Sequence, residues 1–175
     1  LHQSNTSCYF ISGNRDFLIR NDFATAAGIH LLPDCALTEI NGERTLMLHG
    51  DLLCTDDSRY LRFRKIVRSS LFQALFLALP ARIREKIASN ARDKSQLENA
   101  GKQPEIMDVS QPAVEQIMEL YDIRTMVHGH THRPAIHQFK LGNANSTRIV
   151  LGDWYEQGSM LRWNADGYQL EQLTF

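Results

Sequence analysis

Three short apolar runs in this chain each end at a glycine and a group of residues able to bind metals or anions. Cys8-Tyr9-Phe10-Ile11 leads to Gly13-Asn14-Arg15-Asp16, and Arg44 to Leu48 leads to His49-Gly50-Asp51. Thr125-Met126-Val127 leads to His128-Gly129-His130-Thr131-His132-Arg133-Pro134, which gathers three of the seven histidines within five residues. Runs this short and apolar, bounded by turn residues, read as buried strands. Open α/β sheets bind their ligands in crevices outside strand ends. Taken singly, each loop has an ordinary structural reading, because Asn and Asp favour turns for backbone reasons. Three loops of the same kind, each beside a glycine, point instead to one shared site on an α/β fold.

The chemistry of that site follows from the donor atoms. His130 and His132 are two apart and share a face if the strand continues, so both rings can serve one locus. Imidazole mixed with the hard oxygens of Asn14 and Asp residues suits manganese, iron or zinc rather than a thiolate metal site. Cys8, Cys35 and Cys54 are scattered, without ligand or redox spacing, and suit a reducing cytoplasmic compartment. Arg15 keeps its charge at any working pH and fits a phosphate oxygen.

Around these loops the chain reads as one domain of 175 residues with an insertion. Phe17 to Gly28 predicts a short helix closed by the glycine. Ala36 to Ile40 and Arg44 to Leu48, joined by Asn41-Gly42, predict a hairpin. Ser110 and Pro112 open a helix whose Val114, Ile117, Met118 and Tyr121 form one buried face. The C-terminal part reads as a β-meander: Ile136 to Leu141, Thr147 to Leu151, Ser159 to Asn164 and Tyr168 to Thr174.

Residues 59–102 differ in character. They are helix-forming and carry eleven Lys or Arg against three acids, in a chain whose net charge is −1. Leu71 to Pro80 is apolar on nearly all sides, yet too short to span a bilayer. Gln96 to Glu105 reads as a loop. A basic and apolar segment suits a charged lipid or an anionic membrane face; its plain reading is a solvated helical face. The segment lacks the aromatic platform expected for single-stranded nucleic acid, so no nucleic-acid partner is expected.

The order G-N-[H/R]-[D/E], H-G-D, G-H-T-H resembles the calcineurin-like metallophosphoesterases. Within them the chain is similar to the branch that hydrolyses UDP-2,3-diacylglucosamine in lipid A biosynthesis of Gram-negative bacteria. The likeness extends over Gly13 to Leu18, Leu48 to Asp51 with Cys54-Thr55-Asp56-Asp57, Leu75 to Pro80, Ile106 to Val109 and His128 to Ala135. Arginine at position 15, where the superfamily usually has histidine, is a mark of that branch.

The resemblance implies a β-sandwich flanked by helices, spanning 1–175, with 58–105 inserted as a helical cap over the acyl chains. It implies a dinuclear manganese centre, with Asn14, His49 and His130 at one metal and His132 at the other. Asn14, Arg15 and His130 would act in catalysis. Asn14, Arg15, Asp57, Ser95, Asn99, Lys102 and His130 would contact the nucleotide-lipid substrate. A metal-bound hydroxide would attack the α-phosphorus, giving UMP and 2,3-diacylglucosamine 1-phosphate. A monomer held peripherally on the cytoplasmic face of the inner membrane is expected.

Two motifs of the superfamily, D-x-H and G-D-x-x-[D/E] ahead of the first loop, have no counterpart; no Asp-x-His occurs in the chain. The first residue is Leu1, and the expectation is a chain that starts partway through a longer protein. Two other readings stand beside the hydrolase. One is a metallophosphoesterase acting on a different phosphoester, against which the basic, apolar 57–102 segment argues. The other is a catalytically inactive binding or membrane-associating module, favoured by the missing D-x-H and opposed by the retention of Asn14, His49, His130 and His132.

Overall fold

Short apolar segments flanked by turn residues pair into sheets because only pairing satisfies their backbone groups once they are buried. The computed structural model describes residues 5–100 and 108–175. The chain divides into two compact units, Leu1–Leu53 with Val109–Phe175, and Cys54–Asp108.

The first unit contains all the strands described. β1 (Cys8–Ile11), α1 (Asn21–Ala27) and β2 (Ile29–Leu32) form a β-α-β element, with β1 and β2 parallel. Gly28 closes α1 in the left-handed conformation, its N–H reaching the Ala24 and Thr25 carbonyls. The predicted helix therefore starts four residues later than expected. β2 was not foreseen: it is four residues long and wedged between a helix cap and Pro33.

β3 (Cys35–Ile40) and β4 (Glu43–Leu48) are the predicted hairpin, and Asn41 and Gly42 both take positive φ, as the favoured hairpin turn requires. These strands join β5 (Thr125–His128), β6 (Ala135–Leu141) and β7 (Ala144–Val150) in one sheet of order β3-β4-β5-β7-β6. β4, β5 and β7 are parallel and in register. β5 is buried along its whole length, as expected of a central parallel strand covered on both faces. β8 (Gln157–Asn164) and β9 (Gly167–Thr174) pair only with each other in the described sheets. The expected C-terminal meander is thus two hairpins in two sheets, because β7 pairs with β5 as well as β6.

α5 (Gln111–Leu120) supplies the face read from the sequence: Val114 and Met118 are buried, with Ile117 and Tyr121 partly so. They pack on Leu46, Leu48, Leu53, Ile123, Met126 and Leu141. The Ser110 N–H donates to the Leu53 carbonyl at 2.9 Å, closing the two ends between which 54–108 is inserted.

The second unit is helical: α2 (Ser58–Val67), α3 (Ser70–Ala78) and α4 (Ala81–Ala100). Asp57 caps α2, accepting the Tyr60 N–H, and Ser69 caps α3 through Phe72. Gln96 to Ala100, expected as loop, continues α4; its residues are good helix formers and the breakers Gly101 and Pro104 come only afterwards. Phe63, Ile66, Leu71 and Leu75 are all more than half exposed. No helix among the described residues is long and apolar enough to cross a membrane.

Leu46 is fully buried at the centre of the first unit's core. Leu46→Ala should cost about 3 kcal/mol, read as a lower urea midpoint at unchanged slope. A loss under about 1 kcal/mol would mean that the core is not centred on this residue.

Candidate metal centre

Three parallel strands in register end in one row, Leu48 beside His128 beside Val150. The segments that follow, His49-Gly50-Asp51, Gly129 to His132 and Leu151-Gly152-Asp153, therefore leave the sheet along one edge. Backbone hydrogen bonds stitch them together: Gly129 N–H to the His49 carbonyl at 3.0 Å, and Leu151 N–H to the His128 carbonyl at 2.7 Å. Gly50 has φ 112°, and a Cβ there would lie 2.9 Å from both the Gly129 carbonyl oxygen and His128 Nδ1. Only glycine fits that position.

The first loop reaches the same place. A Cβ on Gly13 would sit 2.8 Å from Cδ2 and Nε2 of His49, so the Gly13 backbone lies against that ring. The Asp16 carboxylate accepts the Gly13 N–H and holds the loop closed. Asn14 follows, half-buried, then Arg15, exposed. Of the residues predicted from the sequence, the structure thus brings His49, His130 and the Asn14 loop to one edge, with His132 two residues further along.

The His49 and His130 ring centroids are 4.9 Å apart, nearly edge to face. His49 Nδ1 lies 3.3 Å from Oδ1 of Asp51, whose carboxylate is buried. Burial, reinforced by the neighbouring His49, pushes His130 down to about 4. At neutral pH His130 is therefore an uncharged imidazole with a lone pair to offer.

The loop backbone is strained where the chemistry is. His130 and His132 have φ of 72° and 57°, the left-handed region that costs a non-glycine residue roughly 1–2 kcal/mol. Thr131 N–H donates to the Gly129 carbonyl at 2.9 Å across His130, a three-residue turn of the rare positive-φ kind. Such strain concentrates at active sites and ligand clamps.

His128 anchors the loop from below. Its Nδ1 lies 2.9 Å from the Gly129 carbonyl and its Nε2 3.2 Å from Arg148 Nη1. Only the neutral Nδ1–H tautomer satisfies both, donating to the carbonyl and accepting from the guanidinium. Burial pushes His128 down to about 4, and the Arg148 charge lowers it further, against the raising effect of the Gly129 bond.

The donor set suits a metal in part. Two imidazoles and the amide oxygen of Asn14 are donors appropriate to one divalent ion. Among the described residues no three His, Cys, Asp or Glu side chains are gathered around one point, and His132 alone does not furnish a second ion. Asp57 and Ser95 lie in the helical unit, where Asp57 is engaged as the α2 cap and Ser95 is exposed. The side chain of Asn99 and the whole of Lys102 lie outside the described residues. The sequence reading passed over Asp153, whose Oδ2 is 3.4 Å from His132 Nδ1. Its signal was present, since Gly152-Asp153 follows the apolar Ile149-Val150-Leu151 just as Gly50-Asp51 follows β4.

No protein-family model matches the chain. Curated relatives do. Over 175 residues it is 48% identical to a UDP-2,3-diacylglucosamine hydrolase of Serratia proteamaculans, covering all of this chain and 73% of that protein. It is 51% identical over 172 residues to the protein of the same name from Aeromonas hydrophila, covering 98% of this chain and 71% of that one. The Pectobacterium carotovorum hydrolase is 47% identical over 175 residues, with 73% of its length covered. The chain belongs to the UDP-2,3-diacylglucosamine hydrolase family.

Two outcomes test the geometry. In the positive-φ turn, His130→Gly should be more stable than His130→Ala by about 1 kcal/mol, the reverse of the usual order; a more stable alanine variant would mean the turn is unstrained. The second concerns pH. The native state of the metal-free chain keeps His128 neutral, whereas the unfolded chain protonates it near 6.5. Its contribution is complete above pH 6.5 and is lost as pH falls from there to about 4. Urea midpoints should fall across that window more steeply in the parent than in His128→Gln, and equal slopes would count against a buried neutral imidazole.

Proposed function

We propose that the chain serves the metal-dependent hydrolysis of the pyrophosphate bond of UDP-2,3-diacylglucosamine, releasing UMP and 2,3-diacylglucosamine 1-phosphate. The observation that carries this reading is the convergence of His49, His130 and the Gly13-Asn14 loop at one sheet edge, in a member of a hydrolase family. Water adds its oxygen to the α-phosphorus, and the bridging oxygen leaves with the lipid phosphate.

Asn14, His49 and His130 would hold a divalent ion, manganese in our reading, and His132 would serve a second. When bound, such a centre supplies a Lewis acid that lowers the pKa of water and stabilises charge on the attacking and leaving oxygens. The chain's own residues do the rest. His130, uncharged at neutral pH, can bind without first losing a proton. Arg15, exposed beside Asn14, pairs with a phosphate oxygen and orients the diphosphate. Asp57, Ser95, Asn99 and Lys102 would contact the glucosamine and phosphate groups from the helical segment. Its exposed Phe63, Ile66, Leu71 and Leu75 among many cations support a role in holding acyl chains and in peripheral contact with an anionic membrane face.

One observation favours a second reading. The chain has no Asp-x-His, and among the described residues no three His, Cys, Asp or Glu side chains gather around one point. A chain of this composition would bind the nucleotide-lipid and a single metal while turning over little.

UMP release from UDP-2,3-diacylglucosamine with manganese separates these readings. If the chain is catalytic, His130→Ala should lower kcat by roughly two to three orders of magnitude. Lys102→Ala should chiefly raise KM. Substrate binding without manganese-dependent UMP release would select the second reading, and neither binding nor turnover would overturn both.

A further inference from the structure

The stretch that joins β7 to β8 runs beside the histidine loop and takes no part in the proposed chemistry. It meets that loop at three places. Leu151 N–H donates to the His128 carbonyl at 2.7 Å. A Cβ on Gly152 would lie 3.3 Å from Cγ of Pro134, which ends the loop. The Tyr155 ring lies 5.8 Å from that of His132, at an interplanar angle of 61°. The stretch is also fixed from β8. Gly152 N–H donates to Ser159 Oγ at 2.8 Å, and Trp154 Nε1–H donates to the Ser159 carbonyl at 2.9 Å. The Trp154 ring meets that of Phe175 at 6.0 Å. Yet Trp154 stays 59% exposed and Tyr155 70%. Large aromatic rings held this open to water add little to the core, and exposed apolar patches mark places where a ligand or partner is received.

We infer that Tyr155 is the stacking residue for the nucleobase of the substrate, with the uracil ring lying on its exposed face. The inference rests on the proposed hydrolysis of a uridine diphosphate lipid and gives the base a place beside the loop to which the diphosphate is assigned. A base of any kind has a π face, and aromatic side chains receive it by stacking. The composition of the stretch selects a nucleoside over other occupants. Leu151 to Leu161 holds two carboxylates, Asp153 and Glu156, and no Lys or Arg. An anionic membrane face or a nucleic-acid backbone is drawn to cations and repelled by carboxylates. A nucleoside instead brings neutral donors, the N3–H of uracil and the ribose hydroxyls, which carboxylates accept. The lipid half has a different surface to match, the exposed Phe63, Ile66, Leu71 and Leu75 of the helical unit among their cations.

The test uses the full 175-residue chain and three ligands: UMP, uridine and ribose 5-phosphate. Calorimetric titration with manganese present gives each Kd. UMP should bind roughly tenfold or more tightly than ribose 5-phosphate, the difference being the base. Tyr155→Ala should remove most of that difference and leave ribose 5-phosphate binding unchanged, whereas Tyr155→Phe, which keeps the ring, should stay near the parent. Because the side chain is mostly exposed, the alanine variant should keep the parent's fold. In proton spectra of the metal-free chain, uridine should move the Tyr155 ring signals upfield, those signals being identified by their absence in Tyr155→Ala. UMP binding no tighter than ribose 5-phosphate overturns the inference and leaves the phosphate-binding reading in place. A preference for UMP that survives in Tyr155→Ala also overturns it, as does a chain that binds none of the three. Uridine that shifts the Tyr155 ring and binds as tightly as UMP supports the stacking but sinks the placing of the diphosphate at the histidine loop.

Discussion

Everything at the candidate site depends on the register of three parallel strands. Because Leu48, His128 and Val150 occupy one row, the loops after them start at the same height and meet backbone to backbone. A slip of one residue in β5 would exchange the faces of its side chains, turning His128 away from Arg148 and breaking the Gly129–His49 bond. The site is thus a property of the sheet before it is a property of any histidine. The apolar residues that fix the register, Leu46 and Met126 among them, are also those on which α5 packs.

That close meeting has a steric condition and an energetic one. Gly13 and Gly50 stand where a Cβ would strike the His49 ring in one case and the Gly129 carbonyl and His128 in the other. His130 and His132 are held in a conformation that disfavours them by roughly 1–2 kcal/mol each. The support is visible directly beneath. His128 is buried, uncharged and bonded on both ring nitrogens, so the strand end feeding the strained turn cannot rotate. The buried imidazole of His128, bonded on both nitrogens, thus supports the strand end from which the loop with His130 and His132 leaves.

Much of this was legible in the sequence, for identifiable reasons. Asn41-Gly42 between apolar runs encodes its hairpin locally, and the i, i+3, i+4, i+7 face of Val114, Ile117, Met118 and Tyr121 encodes its burial. The three ligand-rich loops were visible because each follows an apolar run. What the sequence obscured was non-local. Ile29 to Leu32 is a strand only because β1 lies beside it, and the C-terminal strands divide between two sheets because β7 has a second partner in β5. The Asp153 loop carries the same strand-then-Gly-Asp signature as the second loop. It was passed over because a lone aspartate advertises nothing until a histidine 21 residues earlier in the chain is placed beside it.

The helical insertion makes the opposite kind of demand on the fold. It leaves the first unit at Leu53 and returns at Val109, and both residues belong to or pack on that unit's core. The Ser110–Leu53 bond joins the two ends directly. The loop-closure cost of a long insertion grows only slowly with its length, and here the closure is made by the first unit's own residues. The two ends of the insertion are therefore held by the first unit itself. Between those ends the segment carries exposed apolar side chains and an excess of cations. Substitutions at Gly13, Gly50 or His128 would change the edge itself, because each stands where the loops meet or props the strand end below them.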